Sequence, residues 1–262
     1  MKTNIRLIII LILTTSIIKG QDSDSSVNPR KIYSVNLQSG LNQIREKNLL
    51  PLVHKGFVTE LSFETEKIKS SLRQFQFTFT YSRVKTSIEE MSKSGNIKLG
   101  LNYSFNFLVF QKTNFRYYLG PQASLCYSFM MFPNWDDSHG YWADYMSFGP
   151  NNIFSVSLRH ECEWFAAINF SLLGLFSRPK EIRPFKMDDS SFGGIFKALN
   201  SNVEPGLMNR LFQINIRTEY RFPVFVNKRE AITFNTNIIR ISGINGQPVF
   251  QIINMLGLKI ML

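Results

Sequence analysis

The chain has 262 residues, of which 44% are hydrophobic, 14% aromatic and 19% charged, with 24 Phe. That is enough for one sizeable core or one closed sheet, and no run of eighteen or more apolar residues exists to form a spanning helix. The formal charge of +11 falls to +8 when Lys2, Arg6 and Lys19 are removed with the first twenty residues, and the remaining cations are scattered, which argues against a nucleic-acid partner.

Taken in order, the chain opens on a targeting segment. Lys2 and Arg6 form a basic region, Leu7–Ile18 is apolar, and Gly20 precedes Gln21 as a cleavage point. Twelve helical residues would span about 18 Å, short of a hydrocarbon core of about 30 Å. We therefore read 1–20 as a signal peptide, 21–31 as a flexible polar N-terminus and 32–262 as one β-barrel domain. Ile32–Leu37 is a first strand with weak alternation, and Asn42–His54 reads as a loop.

From Phe57 the period becomes two. Phe57, Thr59, Leu61 and Phe63 oppose Val58, Glu60, Ser62 and Glu64. In Gln74–Tyr81, Phe75, Phe77, Phe79 and Tyr81 alternate strictly with Gln74, Gln76, Thr78 and Thr80, so one face of a strand carries four rings and the other four polar groups. The stretches 96–107 and 115–128 repeat the pattern, with a bulge expected at Pro121, which lacks a ladder donor. Residues 129–150 read as a long loop, Phe154–Arg159 and Ala166–Phe176 as strands, and 177–207 as a second long loop. Phe212–Tyr220, Ile232–Ile241 and Val249–Leu262 complete about ten antiparallel strands, with eight or twelve also compatible. Cys126 and Cys162 fall at opposite ends of their strands, too far apart to pair.

Strands of about 11 to 14 residues exceed the usual soluble length of about 5 to 6 and match a transmembrane β-strand. Short and long connections alternate along the chain. On these strands, and on the final Leu256-Gly257-Leu258-Lys259-Ile260-Met261-Leu262, the sequence resembles the small outer-membrane β-barrel proteins of Gram-negative bacteria. The last strand departs from their pattern in lacking a terminal aromatic residue. The resemblance implies an all-β transmembrane barrel in the outer membrane, with membrane lipid and the barrel-assembly machinery as partners. Alternation alone leaves open a secreted soluble barrel or sandwich with its apolar face inward.

No cofactor or metal motif is present. The 129–150 loop gathers Asp136, Asp137, His139 and Asp144 with Tyr141, Trp135 and Trp142, which would suit acid–base chemistry or a sugar or lipid contact. Asp136, Asp137 and His139 resemble the acids and histidine of omptin protease rims, yet they lie in a single loop with no second motif to answer them. His160, in Leu-Arg-His-Glu-Cys, lacks the nearby serine of the lipid A deacylases and outer-membrane phospholipases. The reading is therefore a non-enzymatic barrel, a narrow pore or a structural or binding barrel, with a rim hydrolase as the alternative. Glu60, Glu64, Lys98, Arg116, Arg159, Arg217 and Glu219 are expected to line the lumen, either as a selective pore or as a salt-bridge plug. Lys180, Arg183 and Lys186 beside Phe185, Phe192 and Phe196 give the 177–207 loop a contact surface for lipopolysaccharide.

Overall fold

Ten antiparallel strands close on themselves. The computed structural model describes residues 30–46, 53–86, 93–131, 139–179, 185–186, 191–200, 202–225, 228–242 and 248–262. The ring consists of β1 (Arg30–Glu46), β2 (Val53–Ile68), β3 (Ser71–Lys85), β4 (Ser94–Lys112), β5 (Phe115–Met131), β7 (Asp144–Ser157), β8 (Glu163–Phe170), β12 (Leu211–Phe225), β13 (Lys228–Ile241) and β14 (Val249–Met261). β1 pairs with β14, and β5 pairs with β7, so no edge of the ring is left open. Accessory elements gather at the long-loop end: β6 (His139–Trp142), β9 (Leu173–Ser177), β10 (Phe185–Lys186), helix α1 (Phe192–Leu199) and β11 (Val203–Leu207). No helix among the described residues is long and apolar enough to cross a membrane.

The period-two pattern decides which face goes where. Leu37, Phe57, Phe63, Phe75, Phe77, Phe79, Leu101 and Ile260 are exposed on the outside of the ring. Asn36, Gln38, Glu64, Gln74, Thr80, Asn96 and Lys259, on the alternate positions, are buried inside it. A soluble barrel would show the reverse. The 15 residues of β3 rise about 50 Å, and a tilt of about 45° leaves about 35 Å of height, more than an apolar band of about 25 Å requires.

At one end the connections are tight. Between β7 and β8, His160 and Glu161 both take positive φ (58° and 59°), the conformation of a type I′ hairpin turn, closed by Cys162 N–H donating to Arg159 O at 3.3 Å and flanked by Leu158 N–H donating to Cys162 O at 2.8 Å. Close strand approach also demands glycine at Gly56, where a Cβ would lie 1.7 Å from the carbonyl oxygen of Arg83.

Several sequence boundaries need correction. β1 runs to Glu46 rather than Leu37, and β2 starts at Val53, so most of the stretch expected as a loop over 42–54 is strand. Ser39, Gln43 and Arg45 blur the outward stripe of β1, but ladders to both β14 and β2 hold it extended. β7 begins at Asp144, within the expected 129–150 loop, because the turn-like run Gly149-Pro150-Asn151-Asn152 is paired throughout to β5, and its last two residues also to β8. Ala166–Phe176 is two strands, β8 and β9, broken at Ser171 and Leu172. Part of the expected 177–207 loop is ordered as β10, α1 and β11. Pro121 faces Pro150 in unbroken register, two residues without N–H donors opposite each other, and the bulge falls instead between Leu108 and Phe110. Residues 1–29, which hold the expected signal peptide and most of the polar N-terminus, lie outside the described residues, and β1 starts at Arg30.

Candidate functional site: the filled lumen

The inward residues of β2, β12 and β14 bring charge to the middle of the barrel. In ring order β2 and β12 are separated by β1, β14 and β13 and so face each other across the lumen. Arg217 of β12 reaches Glu64 of β2 at 3.0 Å, and Arg221 reaches Glu66 at 2.8 Å. Along β12, Glu219 contacts Arg221 at 2.7 Å and Arg217 at 3.4 Å. Lys259 of β14 lies between the two walls, 2.6 Å from Glu64, 3.0 Å from Glu219 and 3.6 Å from Glu66. Glu163 joins the network to Arg221 at 3.5 Å and to Arg116 at 3.3 Å. Four carboxylates thus meet four cations, so the connected cluster carries no net charge.

Such a cluster is costly to assemble. Each buried ion forfeits several kcal/mol of hydration, which only multiple short contacts offset. Here every core member has at least two charged partners, and the guanidinium of Arg221 also lies 4.2 Å from the centre of the Phe165 ring. Beside the cluster, at its own level, the interior is apolar: Leu72, Tyr118, Ile153, Phe165 and Ala167 pack together, as do Ile32, Ala231 and Met261, and Ala167, Phe165 and Ala231 are the register partners of Arg217, Glu219 and Arg221.

Above it lies an amide-lined chamber. Gln38, Gln74, Asn151, Gln213 and Asn235 border a cavity with about 100 Å³ open to water. Lys98 donates to Gln251, whose amide donates to Asn42 at 2.8 Å, which donates to Ser82 at 2.9 Å. Glu60 accepts from Thr80 at 3.1 Å. Nearer the long-loop end the chemistry changes again. Ile44, Val84, Met130, Tyr141 and Val249 form one apolar cluster, and Cys126, Tyr145, Phe176, Leu211, Ile239 and Ile241 form another. Both cysteines are free.

Of the residues expected to line the lumen, Glu60, Glu64, Lys98, Arg217 and Glu219 are buried inside the ring. Arg116 is half-exposed and pairs with Glu163. Arg159 does not line the lumen: β7 ends at Ser157, and Arg159 sits in the exposed turn that follows. Glu66, Glu163, Arg221 and Lys259 are the members that sequence reading missed. Extending the phase of Glu64 by two residues, or that of Glu219 by two, finds Glu66 and Arg221. Asp136 and Asp137 lie outside the described residues, and His139 begins β6. Asp144 is buried and accepts from the Ser128 amide at 2.7 Å, so it is tied to the wall. Among the described residues no group of three His, Cys, Asp or Glu side chains is placed to hold a metal ion.

A closed ten-stranded antiparallel ring with an apolar exterior and a polar interior is the fold of outer-membrane β-barrels. No protein-family pattern matches the chain, and no curated relative matches it in sequence. Among solved structures it is similar to the outer membrane protease OmpT from Escherichia coli, with a TM-score of 0.54 and 10% identity over 88% of this chain and 96% of that one. It also aligns with the translocator domain of the autotransporter NalP from Neisseria meningitidis (TM-score 0.44, 6% identity, 99% and 96% of the two chains). Neisserial surface protein A aligns with a TM-score of 0.34 and 13% identity over 87% and 96%.

Proposed function

We propose that this chain is exported, loses residues 1–20, and resides in the outer membrane as a non-enzymatic barrel whose lumen is sealed. The observation that carries the reading is the charge-balanced network joining β2 to β12 across the lumen. A conducting pore needs a continuous wet path whose lining groups are free to coordinate the passing ion. Here the charges are spent on each other, and apolar clusters pack beside them and toward the long-loop end. The protein then acts through its outward wall and its long-loop end, as a structural or binding barrel. Its partners are membrane lipid, including lipopolysaccharide at the 177–207 segment, and the assembly machinery that receives β14, the strand that closes the ring onto β1.

Conductance across a planar bilayer tests the seal. The expected trace is silent at all salt concentrations, and steady unitary channels would restore the narrow-pore reading. Heat-modifiable gel mobility tests the membrane reading itself: a protein recovered wholly in the soluble fraction, with no shift between unheated and boiled samples, would overturn it. The rim hydrolase stays as the alternative because Asp136, Asp137 and His139 occur in the connection between β5 and β7, at the long-loop end. It predicts a hydrolysis of peptide or lipid ester that His139→Ala abolishes, and any activity indifferent to that change would remove it.

A further inference from the structure

One part of the outer wall is built differently from the rest. Beyond Ser171, β9 leaves β12 and pairs with β11, so that Leu173 faces Leu207 and Leu175 faces Pro205. The chain then needs the turn 208–210 to step from β11 into β12. Where the strands step apart, Leu173, Pro205, Leu207, Asn209 and Arg210 border an outer-surface groove of about 560 Å³. Its floor is open: Leu173 is 50% exposed and Leu207 65%. The groove also continues the apolar exterior, because the register partners of Leu173 and Leu175 on β7 are Phe148 and Met146, both exposed.

The end of the groove is cationic. Arg210 borders it, and Arg240 is exposed on β13 opposite Phe212, two residues beyond Arg210. Among the described residues neither guanidinium has an ion-pair or hydrogen-bond partner. This contrasts with the lumen, where Arg116, Arg217 and Arg221 each contact a carboxylate. Guanidinium forks suit phosphate oxygens, and an apolar groove leading from them suits a hydrocarbon chain. β9, β11 and the upper ends of β12 and β13 lie at the long-loop end, and in outer-membrane barrels the long loops are extracellular.

We propose that this groove holds one anionic, phosphate-bearing lipid of the outer leaflet, its acyl chain along Leu173, Pro205 and Leu207 and its phosphate between Arg210 and Arg240. The proposal rests on the membrane reading and gives the lipid contact of the 177–207 segment a defined place. Native mass spectrometry of the full folded chain in detergent tests it, with phosphatidylglycerol and phosphatidylcholine of matched chains as probes. Wild type should retain one phosphatidylglycerol under activation that strips phosphatidylcholine. The pair Arg210→Gln and Arg240→Gln should lower that retention roughly tenfold, the scale of a lost charged hydrogen bond. Leu207→Ser should weaken both lipids. Equal retention of the two lipids by wild type, or unchanged phosphatidylglycerol retention in the arginine pair, would overturn the site. Each sample is run on a heat-modifiability gel: a wild type without the shift condemns the membrane reading, whereas a shifted wild type without lipid preference condemns only the groove. If the arginine variant does not fold, the wild-type preference decides alone.

Discussion

The lower and upper halves of the lumen are filled differently, the lower by paired ions beside apolar clusters and the upper chiefly by apolar side chains. Below the chamber, Glu64, Glu66, Glu219, Arg217, Arg221 and Lys259 occupy the space as mutually paired ions. Above it, Ile44, Val84, Met130, Tyr141 and Val249 occupy it as hydrocarbon and one phenol. The difference teaches that a period-two pattern selects the face and leaves open the chemistry on it. The two fillings should fail differently. An apolar filling loses packing when trimmed, whereas an ionic filling loses balance, because each ion removed leaves its partners buried and unpaired.

The largest effect should come from unbalancing the lower half. Glu219→Leu leaves Arg217, Arg221 and Lys259 short of one carboxylate and should cost about 3–5 kcal/mol, read as a lower urea midpoint for unfolding from vesicles. Glu64→Gln with Lys259→Gln removes one charge of each sign and should cost clearly less than the two single changes summed; strict additivity would mean that the network is not coupled. Next, Phe77→Arg places a cation on the lipid-facing side and should cost about 2–4 kcal/mol if near the midplane, blocking assembly in a heat-modifiability assay. Thr78→Arg, one residue on, faces the water-holding chamber that Glu60 and Glu64 also line, so the added cation has water and carboxylates within the chamber and should be milder. Equal tolerance at the two positions would refute the inside–outside assignment. In the upper half, Met130→Ala should cost about 2 kcal/mol through lost packing and leave the bilayer trace silent, since the ionic half still seals the lumen. The smallest effect belongs to Arg83→Ala. Its guanidinium donates to the Tyr81 hydroxyl on an exposed face, and its removal should leave the urea midpoint essentially unchanged.

Much of the ring was legible from residues alone where both faces were chemically distinct. The stretches 72–84 and 96–107 fall inside β3 and β4 because rings and amides alternate there without a break. β7 was half hidden. Its Gly-Pro-Asn-Asn run carries turn chemistry, and only pairing to β5, joined at Asn151 and Asn152 by β8, overrides it. Arg159 was misplaced for the complementary reason: the alternation runs one step past Ser157, while the chain has already entered a turn that His160 and Glu161 close with positive φ.

By itself, then, the sequence determined an all-β chain of about ten long strands and the face of most of their residues, since the spacing of side chains along a strand is a local property. Only the tertiary structure decided which side of the sheet is the inside, that β2 confronts β12, and that Glu66, Arg221 and Lys259 meet Glu64, Arg217 and Glu219 in one neutral cluster. The contacts of Glu64 and Glu66 with Arg217, Arg221 and Lys259 join residues more than 150 positions apart in the chain. Ring closure sets them, through strand number and register, and no local pattern records either.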